Sequence, residues 1–231
     1  MPGDRLLRIL GLLGAGGQTE AGPARLCEVS ADALVMTGAG VMLMSGDLPR
    51  GSVCSSNEVS ALIEELQYTL GEGPCVDAYH QDRPVLEPDL ADPTVARWIA
   101  FSVPAVAAGA LAVFGFPMQV GAVRLGALNF YRDHPGPLSS DQHADALVMA
   151  DVVSRAVLAM QAHSSPGALA TELEAGSDFH FVVHQAAGMV SAQLDVSLTE
   201  AMIRLRAHAF ANDRLLTEVA QDVVTRELRL S

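Results

Sequence analysis

The stretch Ser164-Ser165-Pro166-Gly167 divides the chain into two parts with different hydrophobic patterns. Small polar residues together with proline and glycine are typical of a linker. Before this stretch, strand-like and helix-like apolar spacings alternate, whereas after it only helix-like spacing occurs. We therefore predict an α+β domain over residues 1–163, a linker over 164–177 and a three-helix domain over 178–231.

The first part has the pattern of an antiparallel sheet with helices packed on it. Short apolar runs bounded by turn residues predict strands at 41–44, from Val53, at 84–86, 111–116 and 125–131, with the segment 45–52 as a turn. Helical spacing predicts helices over 19–36, 55–70, from Pro74 and over 141–162. Two of these helices begin with a capping box, Ser55 with Glu58 and Ser139 with Gln142.

The last fifty or so residues predict three amphipathic helices, at 178–194, from the capping pair Ser197 and Glu200, and at 214–229. In the middle helix Arg204 and Arg206 flank the apolar stripe on opposite sides. The planar guanidinium suits phosphates and base edges. Ion pairs with neighbouring carboxylates would instead make these arginines ordinary surface residues.

All 14 basic residues are arginine, and the formal net charge is −13. The absence of lysine excludes Schiff-base chemistry and lysine-dependent phosphate loops. An acidic chain is a poor general binder of nucleic acid, because phosphate contacts supply most of that affinity. After Ala175, however, five arginines stand against seven acidic residues, so we expect any nucleic-acid contact in this nearly balanced part.

The cysteines Cys27, Cys54 and Cys75 are too few and too scattered for a disulfide framework, which indicates a reducing, cytoplasmic location. Cys75 follows Pro74 near a predicted helix start, a position that lowers a thiol pKa and would suit a redox or covalent role. An inert, buried thiol is the alternative. Trp98 either lines a pocket or belongs to the core.

Two further patterns concern a possible membrane span and a possible metal site. Residues 98–123 carry no charge and are long enough to span a bilayer, but proline and glycine interrupt them, so we predict a buried segment and no membrane partner. His180 and His184 are four residues apart, yet no third ligand is near, so no metal site is expected.

The last part resembles the ANTAR family of RNA-binding antitermination domains. The residues that carry the resemblance are Gln185 to Met189, Glu200-Ala201, Leu205-Arg206, Ala209, Arg214-Leu215 and Val219-Ala220. Many family members have lysine at the position of Ala187. The resemblance implies binding to hairpin loops in nascent transcripts, and we expect RNA contacts from Arg204, Arg206, His208, Asn212 and Arg214, with Ala187 and Gly188 allowing close approach.

The first part resembles the GAF domains that precede ANTAR domains. The residues that carry this are Gly71 to Cys75, Asp77-Ala78, Pro84-Val85, Asp89-Leu90, Arg97-Trp98, Phe101, Phe116 to Met118, Gly126 to Leu128 and Pro135 to Leu138. Such domains often hold a small ligand, for which Cys75 and Trp98 are the candidate contacts. The resemblance names no ligand or cofactor.

These observations together predict a non-enzymatic regulator of transcription antitermination. A GAF-like domain senses an unknown signal, an ANTAR-like domain binds RNA hairpins, and the chain forms a homodimer through the helix over 141–162. The alternative is a small-molecule or redox sensor whose last helices serve only protein association. A third reading, reduction of oxidised methionine through cysteines, requires reactive thiols.

Overall fold

A computed structural model describes residues 2–14, 23–45, 48–92, 94, 97–163, 178–212 and 214–230. The chain forms two compact units, Met1–His163 and Ser164–Ser231. The predicted linker over 164–177 lies outside the described residues.

The first unit is an antiparallel sheet of five strands with helices on both faces. Its helices are α1 (Pro2–Gly14), α2 (Pro23–Leu34), α3 (Glu58–Leu70), α4 (Pro74–Gln81), α5 (Ile99–Ala107) and α6 (Ser140–His163). Its strands are β1 (Gly38–Ser45), β2 (Leu48–Ser55), β3 (Val85–Glu87), β4 (Ala112–Val120) and β5 (Val123–Arg132), in the order β2-β1-β5-β4-β3. The predicted α+β class is confirmed for this unit.

The main core lies between the sheet and the helices α2 and α6. Alternate residues of the central strands point into it, including Phe114, Phe116, Leu128 and Phe130, where they meet apolar residues of α6 such as Met149. The uncharged segment 98–123 is divided among α5, β4 and the turns around them. None of the helices in the described ranges has both the length and the apolar composition needed to cross a bilayer.

The capping prediction for α6 is confirmed, whereas that for α3 is wrong by two residues. The backbone N–H of Gln142 donates to Ser139 Oγ, and the N–H of Ser139 donates to Gln142 Oε1, each at 3.1 Å. At α3 the cap is Asn57, whose Oδ1 accepts from the N–H of Ser60 at 2.8 Å. Asn57 also donates to a carbonyl next to β1, so the true cap joins the helix to the sheet.

One strand and two helices differ clearly from the predictions. Strand β2 begins at Leu48, inside the segment 45–52 that was predicted as a turn. Helix α1 was not predicted, because arginines break its leucine-rich run. In the structure Arg5 and Arg8 form ion pairs with Asp141 and Asp145 of α6. This tertiary contact stabilises the helix and is not visible in the sequence pattern. Helix α5 was not predicted as a separate element, since the part of 98–123 before the strand expected at 111–116 was predicted only as a buried segment.

The cysteine prediction is also wrong, because Cys27 of α2 and Cys54 of β2 form a disulfide with their Cα atoms 6.0 Å apart. The 27-residue separation in sequence is bridged because the β1–β2 hairpin returns the chain beside α2. Of the three cysteines only Cys75 is a free thiol. The cytoplasmic location stays a prediction, and unpaired cysteines no longer support it.

In the second unit the described residues form three helices that pack on one another, α7 (Asp178–Leu194), α8 (Leu198–Ala211) and α9 (Leu216–Val224). Their shared core includes Val183, Ala186, Val190, Leu205, Val219 and Val223. Helix α9 ends five residues before the predicted end at Arg229, because the chain reverses at Arg226, where φ is +66°. The segment that follows folds back along α7, where the Gln193 amide donates to the carbonyl of Leu230.

Candidate functional site

Helices α3 and α4 cover the sheet face opposite the main core, and glycines let them approach closely. A side chain at Gly40 of β1 would place its Cβ 2.5 Å from Glu64 Oε1. A side chain at Gly115 of β4 would collide with the carbonyl oxygen of Pro74 at the start of α4. These glycines leave room for the polar side chains that occupy this face.

A buried polar cluster, formed by Glu64, Gln67, Cys75 and Asn129, lies between these helices and the sheet. The Asn129 amide of β5 donates to Glu64 Oε1 of α3 at 2.7 Å. One turn along α3, Gln67 Oε1 accepts from the backbone N–H of Cys75 at 2.7 Å. The Cys75 thiol lies 3.8 Å from the carbonyl oxygen of Ala127 on β5. The cluster thus joins two helices to the central strand pair.

Three polar atoms of this cluster find no partner among the described residues. They are Glu64 Oε2, Gln67 Nε2 and Asn129 Oδ1, on side chains that are at most 3% exposed. A buried polar atom without a hydrogen bond costs about 1–3 kcal/mol, so such atoms are rare in folded proteins. A further polar group could satisfy these donor and acceptor atoms of the cluster.

Burial controls the ionisation of the cluster. Desolvation raises the pKa of Glu64 to about 8, although the hydrogen bond from Asn129 opposes this shift. Desolvation, followed by the nearby Glu64 carboxylate, raises the pKa of the Cys75 thiol. The expectation that the start of α4 would lower the Cys75 pKa is therefore wrong, because burial raises that pKa more than the hydrogen bonds of Gln67 and Asn129 lower it. Near neutral pH both groups are mainly uncharged.

Trp98 is buried at the start of α5 and is held by residues outside the polar cluster. Its indole N–H donates to Asp77 Oδ2 at 3.1 Å, and the Arg97 guanidinium, which pairs with the same carboxylate, lies 4.9 Å above the ring centroid. Glu72 Oε1 accepts from the backbone N–H of Phe101 at 2.8 Å. These bonds fix α5 to the loop before α4 and to α4 itself. The proposed ligand contact of Trp98 stays a prediction.

Of the four residues in the polar cluster, the sequence pattern predicted Cys75 as a site residue but not Glu64, Gln67 or Asn129. The sequence nevertheless contained a pattern that could have indicated these residues. Glu64 and Gln67 lie three residues apart and share one face of α3, and Asn129 interrupts the apolar run from Leu125 to Phe130 within β5. A polar residue within such a strand needs a buried partner. The sequence does not show which residue supplies it.

In the second unit two of the predicted RNA-contact arginines form ion pairs. Arg204 Nε donates to Glu200 Oε1 at 3.0 Å, the pairing that sequence analysis held open. Arg214 contacts Asp222 at 2.7 Å and Glu218 at 3.6 Å, and these carboxylates raise its pKa. Exposed pairs of this kind are weak, so they can exchange for phosphate contacts.

The other predicted RNA contacts differ in accessibility. Arg206 and His208 are half-buried, and Asn212 is exposed at the end of α8, where its amide donates to the His208 carbonyl at 2.8 Å. Ala187 is only 2% exposed. Gly188 borders open space, since a Cβ there would meet no atom within 4 Å. The roles of all seven residues in RNA binding stay predictions.

No protein-family model and no curated protein matches this chain. Solved structures do match. The GAF domain of a phosphoenolpyruvate-protein phosphotransferase from Coxiella burnetii has a TM-score of 0.51 at 12% identity, covering 70% of this chain and 95% of that one. The GAF domain of the phosphotransferase from Acinetobacter has a TM-score of 0.50 at 16% identity, covering 70% and 96%.

Another match is a free methionine-R-sulfoxide reductase from Neisseria meningitidis, with a TM-score of 0.46 at 18% identity and coverage of 71% of this chain and 92% of that one. The expectation that this chain is not an enzyme stays a prediction, as does the ANTAR-like nature of the second unit. Each of the two phosphotransferase domains matches 70% of this chain, and the antiparallel sheet of the described residues lies in the first unit. The first unit therefore has the GAF fold.

Proposed function

We propose that the first unit is a sensor that binds a small, neutral molecule at the polar cluster. The observation that carries the proposal is the group of three unsatisfied atoms on Glu64, Gln67 and Asn129. Because Glu64 is mainly protonated near neutral pH, the cluster offers both donors and acceptors without net charge. The close approach of α3 and α4 at Gly40 and Gly115 restricts the ligand to a small molecule.

Thermal denaturation against a panel of small amides and nucleobases tests this sensor function. We expect at least one compound to raise the Tm of the wild-type protein, because a ligand that binds only the folded state stabilises it. The Gln67→Met variant removes the unsatisfied donor at nearly constant shape, and with it the acceptor of the Cys75 N–H, so its own Tm should be lower and the same compound should no longer raise it. Gln119→Met, at an exposed position on β4, is the matched control and should respond like the wild type. Equal shifts in all three proteins would place the ligand elsewhere.

For the second unit we propose RNA binding as the output, with antitermination of transcription as its consequence. The ANTAR resemblance supports this, as does the near balance of charge in the last part of an otherwise acidic chain. The arginines of the unit provide planar donors for phosphates and unpaired bases. A pair of units in a dimer would add avidity that one unit lacks.

Protein association is a second candidate for the output, and the exposed surface of α8 favours it. Ile203 is 52% exposed and Phe210 is 68% exposed, seven residues apart on one helix face. Leu215, just before α9, is also exposed. Apolar side chains grouped on a surface are typical of protein contacts.

One pair of measurements separates the two outputs. If the bundle binds RNA, the protein retains hairpins selected from a pool with randomised loops, and Phe210→Ser leaves its mass in solution unchanged. If the bundle serves association, no hairpin is enriched over an unrelated acidic protein, and Phe210→Ser lowers the mass in solution.

We also propose that the first unit forms a homodimer through its α1 and α6 layer. Helix α1 buries Ile9 but exposes Leu7 and Leu10, and its ion pairs to Asp141 and Asp145 fix it on α6. Leu7→Glu should reduce the mass in solution from two chains to one, because a buried charge would oppose the contact. Leu62→Glu, on the exposed side of α3, is the control and should leave the mass unchanged. A one-chain mass for the wild type would contradict the dimer.

A further inference from the structure

An open groove in the second unit runs between α7 and the segment after α9. Its volume is about 620 Å³, and its lining residues are Met189, Ala192, Gln193, Val223, Arg226, Leu228 and Arg229. Small-ligand sites typically measure about 300–1,000 Å³. Apolar side chains form much of the lining and two arginines contribute positive charge, and among the described residues no acidic side chain lines the groove.

The two groove arginines differ from Arg204 and Arg214 in having no carboxylate partner among the described side chains. Arg226 and Arg229 are both exposed. Glu227 lies between them in sequence but does not line the groove. A second charged cleft, in the first unit, shows the contrast, because its Arg5 and Arg8 are paired with Asp141 and Asp145. The arginines of the second-unit groove remain available to an anion.

The backbone holds Arg226 in a conformation that arginine rarely adopts. Its φ of +66° lies in the left-handed region, at the position after a helix where glycine is the usual residue. The N–H groups of Glu227 and Leu228 both donate to the carbonyl of Asp222, at 2.8 and 3.0 Å, and close the end of α9 around it. The positive φ would be imposed on any residue at this position. Glycine would adopt it with less strain than the arginine that this chain has there.

The segment beyond Arg226 is also fixed in place. Gln193 of α7 donates its side-chain amide to the carbonyl of Leu230, and the Leu230 side chain is buried. The groove is therefore held by a helix on one side and an anchored segment on the other. Arg226 and Arg229 are presented from a backbone that needs little ordering on binding, which lowers the entropic cost of recognition.

We propose that this groove is the RNA-contact site of the second unit and takes an unpaired loop nucleotide. The base packs on the apolar lining formed by Met189, Val223 and Leu228, and Arg226 and Arg229 bind the flanking phosphates. Unpaired loop bases are the usual targets of sequence-specific RNA recognition. In this groove, apolar contact with the base and neutralisation of the phosphates supply the affinity. The inference rests on the proposed RNA-binding function and places the RNA contact at the end of α9 instead of on α8.

Filter binding of the full-length protein to hairpins selected from the randomised-loop pool tests the groove. Arg226→Gly removes the guanidinium and also relieves the positive φ, so the protein should keep its Tm while affinity falls about tenfold. Arg229→Gln should weaken binding to a similar degree. Each change should reduce the slope of log affinity against log salt by about 1. Arg83→Gln, in the first unit and bonded only to Gln81 among the described residues, matches the change in charge and should bind like the wild type.

The outcomes separate failure of the groove from failure of RNA binding. If the wild type enriches hairpins but both arginine variants bind with wild-type affinity and salt slope, the groove assignment is overturned and RNA binding stands. If the wild type enriches no hairpin, both proposals fall. If a polyglutamate peptide binds the wild type, competes with the hairpins and loses affinity equally in Arg226→Gly, the groove is a general anion site and its assignment to RNA is overturned.

Discussion

Replacing Glu64 with glutamine should stabilise the first unit at pH 8 and have little effect at pH 4. Burial raises the pKa of Glu64 to about 8 in the folded state, whereas the ordinary value is 4.5. Between these values the folded protein holds a proton that the unfolded chain releases, so the stability of the wild type falls as pH rises from about 4.5 towards 8. Each pKa unit corresponds to about 1.4 kcal/mol, which gives a total change of up to about 4 kcal/mol.

Urea denaturation at pH 5, 6, 7 and 8 measures this dependence. Glutamine keeps an oxygen that can accept the Asn129 hydrogen bond but cannot ionise, so the Glu64→Gln profile should be flatter than that of the wild type. Within the polar cluster only the Cys75 thiol also titrates, and its raised pKa keeps it neutral over this range. Glu58→Gln, at the exposed start of α3, is the control and should keep the wild-type slope. Parallel profiles for the wild type and Glu64→Gln would show that Glu64 is ionised in the folded protein.

The same titration bears on the proposed sensor. A neutral ligand that accepts a hydrogen bond from the protonated Glu64 carboxyl should bind less tightly once Glu64 ionises, because the donor is then lost. Its effect on Tm should therefore decrease towards pH 9, whereas in Glu64→Gln the side-chain amide remains a donor and the effect should be retained. An effect that is constant with pH in the wild type would show that the ligand does not contact this carboxyl.

The sequence was sufficient to predict features whose stabilising contacts join residues close together in the chain. The Ser139 and Gln142 capping box depends on residues three apart, and the pairing of Arg204 with Glu200 on residues four apart. The polar cluster was not predictable in this way, because Glu64 and Asn129 are 65 residues apart and meet only when α3 packs on β5. The sequence shows that a polar residue lies within an apolar run, but it does not show which distant residue forms the hydrogen bond with it.

The groove in the second unit illustrates the same limit. Helical spacing alone continued the last helix to Arg229, which would have placed Arg226 and Arg229 on a continuous helix. The reversal at Arg226 instead turns both towards α7, and it requires a positive φ that the sequence did not signal with glycine. The RNA contacts were therefore predicted at positions such as Arg204 and Arg214, which helical spacing can identify. In the structure both of these arginines have carboxylate partners.

Removing the Cys27–Cys54 disulfide should lower the free energy of unfolding of the first unit by about 3 kcal/mol. The bond closes a loop with a sequence separation of 27 residues, and closing such a loop restricts the unfolded chain. It also joins α2 to β2 at the edge of the sheet, where α2 forms part of the main core. The double variant Cys27→Ala and Cys54→Ala should therefore have a lower Tm than the wild type.

Reduction and thiol counting distinguish loss of the bond from loss of packing. Denatured wild-type protein purified without reductant should show one free thiol, that of Cys75, and three after reduction. Dithiothreitol should lower the Tm of the wild type, whereas the double alanine variant should be insensitive because it has no disulfide to reduce. The Cys75→Ala variant should retain the response to reductant while showing no free thiol before reduction. Three free thiols in the unreduced wild type would show that Cys27 and Cys54 are not bonded in the purified protein, and the reducing location expected from the sequence would regain its support.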